Sequence, residues 1–217
     1  NPEFQILLKQ GDGFRENNDF EQMNGTLKFN YNKSKDESIY SKTNFNYENS
    51  NATYTGLTLH SYETDPTFNP KEHDNFKVFR ASSDIIHTKK INPNKTSTTS
   101  AFLSFFDRRW WRENDIFIKA SDINLENPTP INPTSPLTKI RVGDGESNLG
   151  ILRTFYVAGI ERKFSIDNQL MGRDNTIEIG GRAYFERFLD NKQKGFSPDA
   201  RSGYYYIQEE EYVDSDD

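Results

Sequence analysis

The stretch MNGTLKFNY, residues 23 to 31, alternates without a fault. Met23, Gly25, Leu27, Phe29 and Tyr31 are apolar or small, while Asn24, Thr26, Lys28 and Asn30 between them are polar. Successive side chains of a strand point to opposite faces, so this order reads as a two-sided strand rather than a helix of period 3.6. The same period recurs along the chain. FQILLKQ sets Phe4, Ile6 and Leu8 on one side, and SIYSKTNFNY sets Ile39, Thr43, Phe45 and Tyr47 opposite Tyr40, Lys42, Asn44 and Asn46. TIEIGGRAYFER turns Ile177, Ile179, Gly181, Ala183 and Phe185 away from Glu178, Arg182 and Glu186.

Residues 76 to 91, 96 to 110 and 149 to 166 are further candidates. In the last, Leu152, Tyr156, Ala158, Ile160, Phe164 and Ile166 share a face, and Arg153, Glu161 and Lys163 share the other. In 96 to 110, Phe102 and Phe106 oppose Leu103 and Phe105, so both faces carry bulk. The count is about seven strands, several longer than the five or six residues usual in soluble sheets.

The connections fall into two kinds that take turns. Short polar links are expected at 32 to 38, 92 to 95 and 167 to 175, each with the Asn, Asp, Gly or Pro of a tight reversal. Long links are expected at 11 to 22, 49 to 75, 111 to 148 and from 189 onward. In an up-and-down sheet this order gathers every long link at one end, as in outer-membrane barrels with brief periplasmic turns and extended external loops.

Composition decides which of these readings survive. Only 33% of the residues are hydrophobic, and no apolar run approaches the roughly 18 residues of a spanning helix, which excludes a helical membrane protein. A barrel escapes that test, because its lipid-facing and lumen-facing residues alternate. An antiparallel sheet in a soluble sandwich alternates too, and periodicity alone leaves both open. Strand length and the asymmetry of the links favour the barrel. Backbone groups in lipid have no water to bond, so such a sheet must close; seven strands are too few for a wide, wet bore, and the chain is expected to be a section of a larger one. Its opening, NPEFQILLKQ, lacks the basic stretch, apolar core and cleavage site of an export signal, so it is expected to be cytoplasmic or a piece of something longer.

A net charge of -6 argues against nucleic acid as a partner, which calls for a clustered basic face. Cysteine is absent, which removes disulfides, zinc thiolates and thiol nucleophiles. His60, His73 and His87 lack zinc spacing, Glu72, His73 and Asp74 are expected to form a solvated turn, and no Ser/His/Asp set or close carboxylate pair points to an enzyme. GDGF (11 to 14) and VGDGES (142 to 147) lack the Asp spacing of a calcium loop and the Lys of a phosphate loop, and are expected to be turns. Residues 129 to 147, rich in Pro, Thr, Ser and Gly, are expected to be an ordered loop or lid. FFDRRWWREND gathers Arg108, Arg109 and Arg112 around Trp110 and Trp111 at a strand head. Tryptophan suits a membrane interface and arginine forks bind carboxylates, so an aromatic girdle and a ligand site are both open here.

GDGFRENNDF, GLTLHSYETDPTFNPKEHDNFKVFR, FFDRRWWREN, YVAGIERKFSI and IEIGGRAYFERF followed by GFSPDARSG, in this order, resemble the front half of the barrel of a TonB-dependent outer-membrane receptor, in the branch of ferric-citrate transporters. The resemblance implies an all-β fold: residues 1–217 as a partial antiparallel up-and-down transmembrane β-barrel, about seven strands of roughly 22, with long extracellular loops. The plug, the segment TonB grips and the remaining strands would lie outside these residues. It implies active transport across the bacterial outer membrane, with TonB and membrane lipid as partners. A ferric chelate (ferric citrate or a similar siderophore) would be the cargo, with no covalently bound cofactor and no protein ligand to the iron. An anionic chelate calls for cations in the external vestibule, and the candidates are Arg80, Arg108, Arg109, Arg112 and Arg201, with Trp110 and Trp111 as interface anchors.

The alternative is a soluble β-rich carbohydrate-binding or adhesin-type module, stacking sugar on Trp110, Trp111 and Tyr204 to Tyr206. Extraction separates the two. A barrel section aggregates without detergent through its lipid face and open edges, whereas the module stays monomeric; sedimentation in detergent-free buffer decides.

Overall fold

The computed structural model describes residues 1–51, 53–123, 129–131 and 138–205, with the side chain of Tyr205 left out. Eight strands form one antiparallel sheet in chain order: β1 (Pro2–Gly11), β2 (Phe20–Ser34), β3 (Glu37–Ser50), β4 (Asn75–Asn92), β5 (Lys95–Lys119), β6 (Lys139–Leu170), β7 (Arg173–Gly195) and β8 (Gly203–Tyr205). A single helical turn, α1 (Leu59–Thr64), lies in the link after β3, its first turn capped by the Thr58 hydroxyl. Each strand pairs with its sequence neighbours alone. The short links shrink to two-residue turns after β2, β4 and β6, and the long ones alternate with them at the opposite end.

Register carries the period-2 pattern across the whole sheet. Phe4 faces Leu27, Gly25 faces Phe45, Tyr47 faces Phe79, Leu103 faces Ala158, and Ala158 faces Phe185. One face is therefore apolar from β1 to β7, and the other carries Asn24, Lys42, Arg80, Ser104, Arg153 and Glu186. No layer covers the apolar face: Phe4, Leu8, Leu103 and Ile179 are each more than half exposed. Burying such residues in water-excluded surroundings is worth about 1.5–3 kcal/mol apiece, a strong drive toward an apolar medium. A soluble sandwich would have placed these groups between two sheets. Phe102 and Phe106 lie on the polar face and Leu103 and Phe105 on the apolar one, which resolves the strand with bulk on both sides.

Several expectations change, among them the link from 189 onward, which begins only after Gly195 because β7 runs that far. The strand count rises to eight, because Gly203–Tyr205 adds a short edge to β7. Nor is 111 to 148 one long link, since β5 continues to Lys119 and β6 starts at Lys139, pairing Ile118 with Ile140, both buried. The VGDGES segment is a bulge within β6 rather than a turn between elements: the register jumps from Glu113–Asn148 to Asp115–Gly143, with Gly145 at φ 73°. The rest of the expected lid, 132 to 137, falls outside the described residues. At about 3.3 Å per residue the 25 residues of β5 run about 80 Å, far beyond the nine to eleven a tilted membrane strand needs. The surplus stands on the long-link side.

At the β6–β7 turn, Met171 (φ 52°) and Gly172 (φ 73°) both hold positive φ, which fits a type I′ turn. A bulky non-glycine residue there is strained, and Met171 gains nothing in return, being 96% exposed. Met171→Asn is expected to stabilise the folded protein by about 1 kcal/mol and Gly172→Val to destabilise it by at least that much, read as shifts in the urea midpoint in lipid vesicles.

Candidate functional site

The polar face of β4 to β7 carries two adjoining rows set by register. One runs Arg80, Phe106, Phe155, Phe188, and the next runs Val78, Arg108, Arg153, Asp190. The rings of Phe106 and Phe155 stack at 5.6 Å and those of Phe155 and Phe188 at 4.6 Å, with the Arg80 guanidinium 4.5 Å above Phe106. Arg153 holds Asp190 through two contacts of 3.0 and 3.4 Å. Arg108 stands beside Arg153, and among the described residues it makes no hydrogen bond, its buried Nε included. Two cations thus share one carboxylate, leaving a positive charge open to an anion.

Higher on the same face, Arg112 donates to the Tyr54 hydroxyl and stacks on the rings of Tyr54 and Trp110 at 5.7 and 5.5 Å. Trp110 meets Tyr54 edge-on at 5.3 Å. Alternation sends the two intervening residues the other way. Arg109 pairs with Asp107 at 2.9 Å, and Trp111, 2% exposed, lies against Gly150, where a Cβ would come within 2.7 Å of its ring. Arg201 sits on the link after β7, giving Nη2 to the His73 carbonyl at 3.2 Å and Nη1 to the Asp199 carbonyl at 2.9 Å. So Arg80, Arg108 and Arg112 share a face, Arg109 is turned from them, and Arg201 belongs to the loops. Alternation places Arg153 on the polar face but does not mark it as a site residue; only cross-strand register brings it beside Arg108.

The long-link end holds most of the buried residues, and they are chiefly polar. Lys71, 1% exposed, gives its ammonium to the Glu113 carbonyl at 2.9 Å and lies 3.3 Å from Asp115. Asp74 accepts from the Glu113 amide at 2.8 Å, and Glu113 accepts from the His73 amide at 3.1 Å. Residues 72 and 73 lie in the expected turn with Glu72 exposed, but Asp74 is buried, because the surplus length of β5 gives this segment a wall to bond. Asp74 Oδ2 has no partner of ordinary hydrogen-bond geometry, although the Thr53 hydroxyl approaches the carboxylate. Burial pushes both carboxyls above their ordinary values; the Glu113 amide and Lys71 oppose the rise at Asp74, and the His73 amide opposes it at Glu113. Among the described residues no three His, Asp or Glu side chains converge to hold a metal ion.

Fold and surface together describe a section of wall from an up-and-down β-barrel of the outer-membrane type. The chain superposes on the crystal structure of the ferric citrate transporter FecA in its unliganded form with a TM-score of 0.70 at 15% identity, covering 94% of this chain and 27% of that one. No family model and no curated protein matches the sequence. The likeness establishes the fold, and the chain spans about a quarter of the length of that transporter.

The raised carboxyls give the loop cluster a pH dependence of definite sign. An acid whose folded pKa exceeds its unfolded value, near 4, stabilises the fold below that value and loses the contribution as pH rises through the folded one. Amide exchange at His73 and Glu113, corrected for intrinsic rates, is expected to slow as pH falls from neutral toward 4. Asp74→Asn removes part of that dependence.

Proposed function

We propose that this chain is part of the barrel of a TonB-dependent transporter in a bacterial outer membrane, and that the whole protein imports a ferric chelate such as ferric citrate or a similar siderophore. The observation that carries the reading is the single-layer meander whose apolar face is uncovered while Arg80, Arg108 and Arg112 on its polar face make no ion pair among the described residues. The likeness to the FecA barrel supports it. Arg108, without a hydrogen bond among the described residues, and Arg80 and Arg112, held on aromatic rings, are the groups on the polar face that an anionic chelate would meet. Arg201 would meet it from the loops. Iron stays bound by the chelator's oxygens, hard donors for a hard cation. TonB would act through a part of the protein outside these residues. The opposed facing of Trp110 and Trp111 and the burial of Trp111 weigh against a shared sugar-stacking platform; Tyr206 lies outside the described residues.

In the full-length protein, Arg108→Ala and Arg112→Ala are each expected to weaken ferric chelate binding about tenfold or more, the worth of one charge-assisted hydrogen bond. Arg109→Ala, its charge spent on Asp107 on the other face, is expected to change affinity less than twofold. Unchanged equilibrium binding in the Arg108/Arg112 double variant would remove the assignment.

A further inference from the structure

Near the short turns the apolar face carries two cations without a carboxylate beside them. Phe164 of β6 faces Ser97 of β5, with Lys95 facing Ile166 on one side and Thr99 facing Arg162 on the other. Lys95 Nζ lies 4.7 Å and the Arg162 guanidinium 5.0 Å from the same Phe164 ring. Arg162 Nε also donates to the Ser97 hydroxyl at 3.4 Å, and Ser97 is itself buried. Among the described residues neither cation has an ion pair. The nearest acid in register on this face, Glu37, is engaged by Lys33, His87 and Lys89. Gly181, opposite Arg162 on β7, leaves open space where a side chain would stand. Next to the cations the face turns apolar again, with Ile177 and Ile179 both exposed.

We propose that Lys95, Arg162 and Ser97 form a headgroup site for an anionic glycerophospholipid on the outward face of the barrel wall, near the short turns. This rests on the outer-membrane reading above. A phosphodiester offers oxygens to a guanidinium, an ammonium and a hydroxyl together, and charge-assisted bonds of this kind are strong where water is scarce. The acyl chains would lie along Ile166, Ile177 and Ile179, and the recess at Gly181 gives the headgroup room beside Arg162. Free phosphate would gain the charges but none of the apolar contact, so the lipid is the occupant that matches both halves of the surface. The short-turn position places the site in the periplasmic leaflet, where phospholipid rather than an external ligand is at hand.

The test is native mass spectrometry of the full-length protein in detergent, titrated with phosphatidylglycerol, phosphatidylcholine or diacylglycerol. One phosphatidylglycerol is expected to be retained at energies that strip the other two lipids. Its apparent affinity is expected to fall about tenfold or more in Lys95→Gln/Arg162→Gln and to stay unchanged in Lys163→Gln, whose side chain is on the opposite face and bridged to Glu178. Lys95→Gln alone, at a surface position, gives a smaller loss in the same direction and guards against misfolding of the double variant. Inorganic phosphate at the same concentration is expected not to displace the lipid. Equal retention of all three lipids, or an undiminished affinity in the double variant, overturns the site while leaving the membrane reading intact. A protein that stays monomeric without detergent and takes up no lipid overturns both.

Discussion

Everything in this molecule depends on how the main-chain amides are satisfied. With one sheet and almost no helix, each strand finds its hydrogen-bond partners in the strands beside it, and no second layer contributes. That arrangement frees both faces from any duty toward a common core. One is left apolar and uncovered, the other polar, and the two can meet different media. The likeness to the FecA barrel is a likeness of this division and not of side chains, since only 15% of the residues are identical.

Much of this could be read from the chain, because a strand writes its two faces directly into its sequence. The apolar sets of β1, β2, β3, β6 and β7 fall on one face as their alternation requires, and the three tight turns sit within the expected windows. What failed was the far end. Residues 111 to 148 read as loop because Pro, Gly and Ser crowd 129 to 147, yet Ile118 and Ile140 find each other and prolong the ladder. Composition reports local preference, and pairing over such a distance in sequence outweighs it.

The candidate site was legible by halves. Arg108 and Arg112 could be picked out beside the tryptophans, and strand geometry alone parts them from Arg109. The partnerships that give these groups meaning join positions tens of residues apart: Arg108 with Arg153, Arg112 with Tyr54, Glu113 with the segment from Lys71 to Asp74. No local pattern encodes such pairs. The turn at 72 to 73 follows the expectation, and the burial of Asp74 departs from it for the same reason, since only the unexpected length of β5 supplies the backbone amide that its carboxylate bonds.

The bulge at 144 to 147 divides β5 and β6 into a broad wall below and a narrow two-stranded prong above. Glu113 stands at that joint, and the same residue fastens the segment around Lys71 and Asp74. Through its amide, carbonyl and carboxylate Glu113 ties the base of the prong to the neighbouring loop, so the anchorage of both segments rests on one side chain and its peptide groups.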